Sequence, residues 1–390
     1  MAQNIEEFKG ALSVGDIGII PMQSCTALGD KVNQYIVDWR KERDAVLHPA
    51  GPQTKDSYLI KAECSRFGSG EAKGTILESI RGMDLYILVD VTNYSITYNL
   101  YGQENHMSPD DHYGDLKRII TAAAGKAKRV NVIMPFLYES RQHKRSGRES
   151  LDCANMLQEL HNLGVENIVT LDAHDPRVQN AIPNSGFDNL MPTYQFIRAL
   201  FHEIPDLQVD SNHMMIISPD EGAMNRAVYY SNVLGLDMGM FYKRRDYSRV
   251  VDGRNPIVAH EFLGSSVEGK DVMIVDDMIA SGESMLDVAT QLKKRKARRV
   301  FCAASFGLFT KGMSLFDEYK EKGIIDKVLT TNSIYQNPEL LKRDYYVSVD
   351  VSKYLALVID KLNYNLSISA LLDSSAKIHE ALNFYNIYHK

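Results

Sequence analysis

Short, unbroken runs of apolar residues alternate with segments of helical periodicity along the chain. In the first half these runs predict strands at 17–21, 84–90, 130–135 and 167–172, with helices around 26–41, 110–124 and 149–163. In the second half they predict strands at 213–220, 237–243, 271–277, 299–305 and 326–331, with helices near 221–234, 284–297 and 312–322. Apolar strands that alternate with helices are typical of parallel sheets covered on both faces. The pattern therefore predicts an α/β fold with mainly parallel sheets flanked by helices.

A cluster of turn-forming residues separates the two series of predicted elements. It consists of Pro183, Asn184, Gly186 and Pro192. Such clusters indicate a connection between elements. A chain of 390 residues also exceeds the ~150 residues typical of one domain. We therefore predict two domains, 1–185 and 186–390, and the similar rhythm of the two halves suggests a duplicated domain.

Composition limits the classes of protein to which the chain can belong. It carries 44 Lys and Arg against 50 Asp and Glu, a net charge of −6, whereas a general nucleic-acid or membrane-surface binder needs a basic surplus. The longest apolar runs fall far short of the ~20 residues that cross a membrane. The cysteines form no CxxC pair, and the first residues lack the basic and apolar parts of a signal peptide. We therefore expect a cytoplasmic protein that binds neither nucleic acid nor membranes.

The strongest chemical signal follows one of the apolar strands of the second half. Asp276 and Asp277 end this strand, and a turn of small residues at 280–284 precedes a helix. Small residues let backbone N–H groups close around a phosphate, whose charge the helix N-terminus attracts. The two carboxylates could accept hydrogen bonds from vicinal ribose hydroxyls or hold a cation. The alternative is an ordinary strand–turn–helix connection in which Ser284 and Asp287 form a variant capping box.

This segment resembles the phosphoribosyl diphosphate fingerprint that type I phosphoribosyltransferases share with ribose-phosphate pyrophosphokinases. Five further motifs resemble, in order, the landmarks of the pyrophosphokinase family: Arg66-Phe-Gly-Ser-Gly-Glu71, Arg141-Gln142, Asp172-Ala-His174, Ser218-Pro-Asp220 and Lys243-Arg-Arg245. The resemblance spans roughly residues 15–370, whereas simple phosphoribosyltransferases lack the N-terminal half. It implies two type I phosphoribosyltransferase-like domains, the first with the ATP-binding motifs and the second with the ribose 5-phosphate and catalytic loops.

The resemblance implies roles for the charged motifs in the transfer of a diphosphoryl group from ATP. Lys243 is implied as the catalytic lysine, and Arg245 as a cation that helps to hold the phosphates or the sugar phosphate. His174 and Asp220 are implied at a Mg²⁺ site, where imidazole is expected to act partly through bound water. Apart from the resemblance, a basic strand end is often simply solvated, and a histidine after a strand is more often a structural hydrogen-bonding group.

ATP recognition is implied in two loops of the first domain. Arg141 and Gln142 match residues that contact ATP, and a basic run in an acidic chain fits a polyphosphate better than the alternative, a nucleic-acid patch. Phe67, Ser69 and Glu71 match an adenine-recognition loop, with an aromatic face for stacking and polar groups for the base edge. Since that loop reaches a neighbouring subunit in the family, the resemblance implies a homo-oligomer built from dimers, up to a hexamer.

The ribose 5-phosphate site is implied at the strand end and the turn that follows it. Its residues are Asp276 and Asp277 for the ribose ring, and Ala280, Ser281, Gly282, Glu283 and Ser284 for the 5-phosphate. The family commonly has Asp-Thr-Gly-Gly-Thr in this turn, so Ala280 loses a carboxylate and Glu283 adds a negative charge beside a bound dianion. Such repulsion costs about 1 kcal/mol in solvent. We expect Glu283 to point to solvent, or the phosphate to be held differently.

Three other departures from the family pattern concern the first domain. His143 stands where the family usually has Asp. Stretches near 42–56 and 92–112 are longer than in most members. Such insertions usually form surface loops.

The sequence therefore predicts an enzyme, an ATP:ribose-5-phosphate diphosphotransferase that uses Mg²⁺ and forms AMP and 5-phosphoribosyl 1-diphosphate. A phosphoribosyltransferase is one alternative, and the paired domains count against it. A regulatory homologue without turnover is another, against which the retention of Lys243, Arg245, His174 and Asp220 counts. A third alternative keeps the chemistry but takes a larger ribose 5-phosphate derivative such as ADP-ribose, which the altered turn could tolerate.

Overall fold

The computed structural model describes residues 5–47, 54–245 and 257–388, which divide into two compact units. The first unit contains the described residues of 1–191, 332–335 and 350–373. The second contains those of 192–331, 336–349 and 374–390. The chain thus passes from the first unit to the second and returns more than once.

The first unit is built on a five-stranded parallel sheet. Its strands are β1 (Ile17–Pro21), β4 (Asp84–Leu88), β7 (Arg129–Ile133), β8 (Asn167–Leu171) and β9 (Gly186–Leu190), adjacent in that order. Two antiparallel hairpins lie outside this sheet: β2 (Ala62–Arg66) with β3 (Ala72–Ile76), and β5 (Thr97–Leu100) with β6 (Gln103–His106). Every residue of β4 and β7 is buried, as expected of strands covered on both faces.

Helices of the first unit come from both ends of the chain. They are α1 (Thr26–Leu47), α2 (Pro109–Ala123), α3 (Asp152–Asn162), α8 (Ser352–Asn363) and α9 (Ser369–Leu372), with 3₁₀ turns at Ile5–Phe8, Gln23–Cys25 and Pro176–Ala181. The fully buried Asp360 of α8 accepts hydrogen bonds from Arg40 Nε at 2.9 Å and from Arg43 Nη1 at 3.0 Å, both on α1. These pairs explain why residues 350–373 return to the first unit.

The second unit is built on a seven-stranded sheet. Its strands are β10 (Met214–Ser218), β11 (Asp237–Arg245), β12 (Ile257–Leu263), β13 (Asp271–Ile279), β14 (Val300–Gly307), β15 (Lys327–Thr331) and β16 (Tyr346–Val349). Their order is β12-β11-β10-β13-β14-β15-β16, and every neighbouring pair is parallel except β11 with β12. The order of the strands reverses between β10 and β13. In open α/β sheets, ligands bind outside the carboxyl ends of the strands at such a switch point.

Alternate residues of this sheet enter two separate cores. The helices are α4 (Thr193–Glu203), α5 (Met224–Leu234), α6 (Glu283–Lys294), α7 (Ser314–Glu321) and α10 (Ser375–Tyr388), with a 3₁₀ turn at Leu340–Lys342. On β13, Val272 and Ile274 pack with residues of α6, whereas Met273 and Val275 pack with residues of α4 and α5. Helices therefore cover both faces of the sheet, and the predicted α/β fold is confirmed.

The predicted strands and helices of the main sheets are present, with ends shifted by a few residues. The two hairpins, the strands β9, β12 and β16 and the helices α4, α8, α9 and α10 were not predicted. The stretch near 92–112 expected as a surface loop contains β5, β6 and the start of α2. The sequence placed one domain boundary at residue 185, but β9 completes the first sheet and α8 packs on α1. Across the described ranges, no helix combines the length and the apolar character needed to span a membrane.

Candidate functional site

Two adjacent carboxylates lie at the carboxyl end of β13. Asp277 is buried, and the Asp276 side chain is 27% exposed. The Asp276 carboxylate accepts a hydrogen bond from the backbone N–H of Asp277 at 2.9 Å, and Asp277 accepts one from the N–H of Met278 at the same distance. These local bonds fix both carboxylates at the strand end.

Arg226, on the first turn of α5, places a positive charge near Asp276. Its Nη1 lies 3.8 Å from Asp276 Oδ1. Withdrawal from water raises the pKa of Asp276 well above its usual range, the charge of Asp277 raises it further, and Arg226 partly opposes the rise. A proton-donating ligand or a cation at this carboxylate would therefore relieve an unfavourable concentration of negative charge.

Asp220 follows β10, the neighbour of β13 in the sheet. Ile217 of β10 pairs with Ile274 of β13, so the ends of the two strands lie side by side. Asp220 Oδ1 accepts hydrogen bonds from the N–H groups of Gly222 at 2.9 Å and Ala223 at 3.3 Å. The charge of Asp220 also contributes to the raised pKa of Asp276. The structure thus brings these two predicted site residues together at the switch point.

The turn after β13 has a backbone shape that requires glycine. Gly282 is the N-cap of α6 and has φ +87°, in the left-handed region. A Cβ atom there would lie 2.3 Å from the ring of Phe316, too close for any side chain. The N-cap is Gly282 and Ser284 lies within the first turn of α6, so the alternative in which Ser284 caps the helix is not the one observed. The first turn of α6 therefore begins at Gly282, a position that only glycine can occupy.

Glu283, the unusual acid of this turn, accepts hydrogen bonds from Lys311 and from Ser281 of the same turn. Its side chain is exposed, and Oε1 accepts a hydrogen bond from Lys311 Nζ at 2.7 Å. The Lys311 bond and a hydrogen bond from Ser281 lower the pKa of Glu283. Ala280 is held by its backbone, since its carbonyl accepts the N–H of Thr310 at 2.9 Å. Of the two expectations for Glu283, orientation towards solvent is the one observed.

Lys243 and Arg245 lie at the carboxyl end of β11, which runs parallel to β10. Met240 pairs with Ser218, so Lys243 stands three residues beyond the last residue of β10. Their backbone is on the same edge of the sheet as Asp220 and Asp276. Their side chains, and residues 246–256, lie outside the described part of the chain.

The predicted adenine loop forms the tip of the β2–β3 hairpin in the first unit. The N–H of Phe67 donates to the carbonyl of Glu71 at 2.8 Å, and the N–H of Gly70 donates to the carbonyl of Phe67 at 2.8 Å. Ser69 Oγ donates to Glu71 Oε2 at 2.9 Å. The Phe67 side chain nevertheless remains 57% exposed. The tip is thus internally bonded and presents an aromatic face.

The other predicted nucleotide residues follow β7 in the same unit. Arg141 is exposed, and Gln142 Nε2 donates to the carbonyl of Ser150 at 2.8 Å, which closes this loop on itself. The ring of His143 lies 5.3 Å from that of His174, an exposed residue just beyond β8. The Nδ1 atom of His143 is buried without a hydrogen-bond partner among the described atoms. The loop after β7 and the segment after β8 therefore lie close together at the adjacent rings of His143 and His174.

The side chains of the described residues offer few donors for a metal ion. In the described part of the chain, no group of three or more His, Cys, Asp or Glu side chains is arranged to hold a metal ion. Carboxylate oxygens such as those of Asp220 suit Mg²⁺, which usually keeps several waters and binds through one or two carboxylates plus substrate phosphates. The donors present, with the excess negative charge around Asp276, therefore fit Mg²⁺ brought with a phosphate ligand.

Sequence reasoning missed two residues of this site. Arg226 lies six residues after Asp220, and a cation on the first turn of the helix after Ser218-Pro-Asp220 was a signal that could have identified it. Lys311 lies 28 residues after Glu283 in a loop, and nothing in the sequence indicates their pairing.

Comparisons with known proteins match both halves of the chain. Residues 17–164 match a family described as the N-terminal domain of ribose phosphate pyrophosphokinase, and residues 187–342 match the phosphoribosyl transferase domain. The ribose-phosphate pyrophosphokinase of Vibrio parahaemolyticus is 28% identical over 319 residues, which cover 81% of this chain and 92% of that protein. The ribose-phosphate pyrophosphokinase of Helicobacter pylori J99 is 27% identical over 333 residues, which cover 83% of this chain and 93% of that protein.

A solved structure has the same fold. The crystal structure of phosphoribosylpyrophosphate synthetase from Mycobacterium smegmatis superposes with a TM-score of 0.70 at 20% identity. The superposition covers 90% of this chain and 99% of that one. The likeness therefore extends over both units rather than over one domain alone.

Proposed function

Because the chain belongs to the ribose-phosphate pyrophosphokinase family, we propose that it transfers the β,γ-diphosphoryl group of ATP to the anomeric hydroxyl of ribose 5-phosphate. The products are AMP and 5-phosphoribosyl 1-diphosphate. The observation that carries the proposal is the switch point between β10 and β13, where Asp220, Asp276 and a glycine-lined helix start lie together. This is the arrangement that a phosphorylated sugar with vicinal hydroxyls requires.

The strand end and turn of β13 bind ribose 5-phosphate in this proposal. Asp276 and Asp277 accept hydrogen bonds from the ribose hydroxyls, which offset the cost of keeping two carboxylates together. The residues for the 5-phosphate are Ala280, Ser281, Gly282, Glu283 and Ser284. Because N–H groups of the first helical turn have no partner within the helix, a phosphate there gains hydrogen bonds and a favourable dipole. The orientation of Glu283 towards Lys311 supports this role.

Each unit carries residues that contact ATP in this proposal. In the first unit, Phe67 stacks on the adenine while Ser69 and Glu71 contact its edge, and Arg141 and Gln142 contact the phosphates. In the second unit, Lys243 stabilises the charge on the transferring phosphoryl group, and Arg245 holds the phosphates. Such fixed cations act where charge develops in the transition state, which lowers the barrier to transfer. The position of Lys243 beyond the end of β10 supports this assignment.

Mg²⁺ is the proposed metal, with His174 and Asp220 as the residues that hold it. When bound, the ion neutralises charge on the triphosphate and makes the phosphorus more susceptible to attack. Asp220 would offer oxygen donors to the ion, and His174 would act partly through its bound water. We also propose a homo-oligomer built from dimers, up to a hexamer. We further propose a cytoplasmic location, which the four free cysteines support.

Phosphorus NMR of the protein mixed with Mg²⁺, ATP and ribose 5-phosphate tests the function. The proposal predicts AMP and a new diphosphate ester in equal amounts. Turnover with ADP-ribose but not with ribose 5-phosphate would show that the acceptor is a larger derivative, and silence with both would indicate a binding protein. Lys243→Ala should lower kcat by about 10²-fold or more, whereas the matched control Lys294→Ala, on the exposed face of α6, should leave kcat unchanged.

A further inference from the structure

The β5–β6 hairpin lies against the loop at the tip of β2–β3. The N–H of Tyr101, in the β5–β6 turn, donates to the carbonyl of Gly68 at 3.0 Å. On the same side, Leu100 Cδ1 fills the space beside Gly70, where a Cβ atom would lie only 2.6 Å from it. One backbone bond and one close apolar contact therefore join the two hairpin tips.

A third contact fixes the base of the same loop. The ring of Tyr98 lies beneath the guanidinium of Arg66, 4.9 Å from its central carbon. Arg66 ends β2 immediately before Phe67, and its Nη2 donates to Asp115 Oδ2 of α2 at 2.8 Å. Arg66 is thus held between a carboxylate and an aromatic ring, which restricts the backbone from which Phe67 projects.

The β5–β6 hairpin is itself anchored, although strands of four residues are marginally stable alone. Its turn residues Tyr101 and Gly102 have φ of +49° and +78°, the signs that a two-residue type I′ turn requires. At its base, the N–H of Met107 donates to the carbonyl of Ile96 at 2.8 Å. Ser108 then caps α2 in a capping box with Asp111. The hairpin is therefore a fixed support rather than a loose loop.

We propose that the β5–β6 hairpin holds the 67–71 loop in its nucleotide-binding shape, and that Tyr98 and Leu100 are positioning residues for ATP. This inference rests on the proposed function, because it takes Phe67, Ser69 and Glu71 as the residues that contact the base. The hairpin touches the backbone of the loop and leaves the Phe67 ring exposed. A loop held in its binding shape loses less conformational entropy when the ligand binds, so its affinity is higher.

Truncation of the two side chains tests this support. Tyr98→Ala and Leu100→Ala should each weaken ATP binding about tenfold by calorimetry and raise the KM for ATP equally, while the KM for ribose 5-phosphate and kcat change less than about twofold. Hydrogen exchange of the 67–71 amides should accelerate. Tyr98→Phe keeps the ring and should behave as the wild type.

Tyr101→Asn is the matched control, because the Tyr101 side chain is 83% exposed and Asn suits a type I′ turn. It should change neither ATP affinity nor exchange. Unchanged ATP affinity in both truncations, or an equal rise in the KM of both substrates, would overturn the proposal. Calorimetry with ATP needs no turnover, so the positioning role is decided even if the wild type forms no AMP from ribose 5-phosphate.

Discussion

Glu283 and Lys311 form an exposed ion pair at the start of α6, with 2.7 Å between Oε1 and Nζ, which partly neutralises the carboxylate. Without Lys311, the negative charge of this carboxylate, which also accepts a hydrogen bond from Ser281, is no longer neutralised beside a dianion bound at the turn. We therefore predict that Lys311→Ala raises the KM for ribose 5-phosphate about fivefold. Steady-state kinetics with ribose 5-phosphate as the varied substrate checks this.

A double variant tests whether the charge of Glu283 causes the higher KM for ribose 5-phosphate. Adding Glu283→Gln to Lys311→Ala should restore the KM for ribose 5-phosphate, since the repulsive charge is gone. Lys322→Ala, which removes a similar exposed pair with Glu318 on α7, is the matched control and should have no effect. An unrestored KM in the double variant would mean that Lys311 contacts the substrate itself.

Arg226 lowers the pKa of Asp276 against the larger opposing effects of burial and of Asp277. Because Arg226 holds the pKa of Asp276 lower than burial and Asp277 alone would, Arg226→Met should raise that pKa. If the reaction needs the Asp276 carboxylate ionised, the acid limb of the kcat/KM profile for ribose 5-phosphate moves to higher pH. Activity should therefore fall more at acid than at alkaline pH. Arg226→Lys keeps the charge and should keep the limb near its wild-type position; equal losses at every pH in Arg226→Met would contradict this account.

Asp90 makes the stability of the first unit depend on pH. Burial raises its pKa from 3.8 to about 6, although it accepts hydrogen bonds from Thr92 N at 2.8 Å and Tyr335 N at 2.6 Å. The folded state then binds more protons than the unfolded state between these values, so stability falls as pH rises from about 4 to about 6. The loss amounts to about 3 kcal/mol.

Asp90→Asn removes this titration. The free energy of unfolding can be followed in urea through the fluorescence of Trp39, the single tryptophan. Between pH 4 and pH 7, this free energy should fall by about 3 kcal/mol less in Asp90→Asn than in the wild type. Asp30→Asn, at an exposed position of α1, should keep the wild-type dependence. Parallel curves for wild type and Asp90→Asn would show that Asp90 is ionised throughout this range.

Asp360 neutralises two arginines inside the first unit. Its side chain is fully buried against Arg40 and Arg43, whose side chains are 11% and 4% exposed. Asp360→Ala leaves both guanidinium groups buried without their carboxylate, so the free energy of unfolding should fall by about 3–5 kcal/mol. Urea unfolding at Trp39 measures this directly, since Trp39 lies on α1. Asp56→Ala removes a pair with Lys41 on the surface and should leave the midpoint unchanged.

The sequence predicted the parts of the fold that local pattern determines. The unbroken apolar run at β13 fixes a buried strand, and the acids and small residues after it mark the site. Periodicity could not reveal β5 and β6, whose four-residue strands are only partly buried. It also could not show that α8 packs on α1, because Asp360 and Arg40 lie 320 residues apart in the sequence. Long-range ion pairs of this kind depend on the folded backbone.

We propose above that the turn after β13 binds the 5-phosphate of ribose 5-phosphate. A crystal structure of the protein with ribose 5-phosphate and Mg²⁺ tests it most directly. We predict the phosphate within hydrogen-bond distance of the N–H groups at the start of α6, with ribose hydroxyls on Asp276 and Asp277. A sugar phosphate bound elsewhere, with this turn holding only water, would contradict the account.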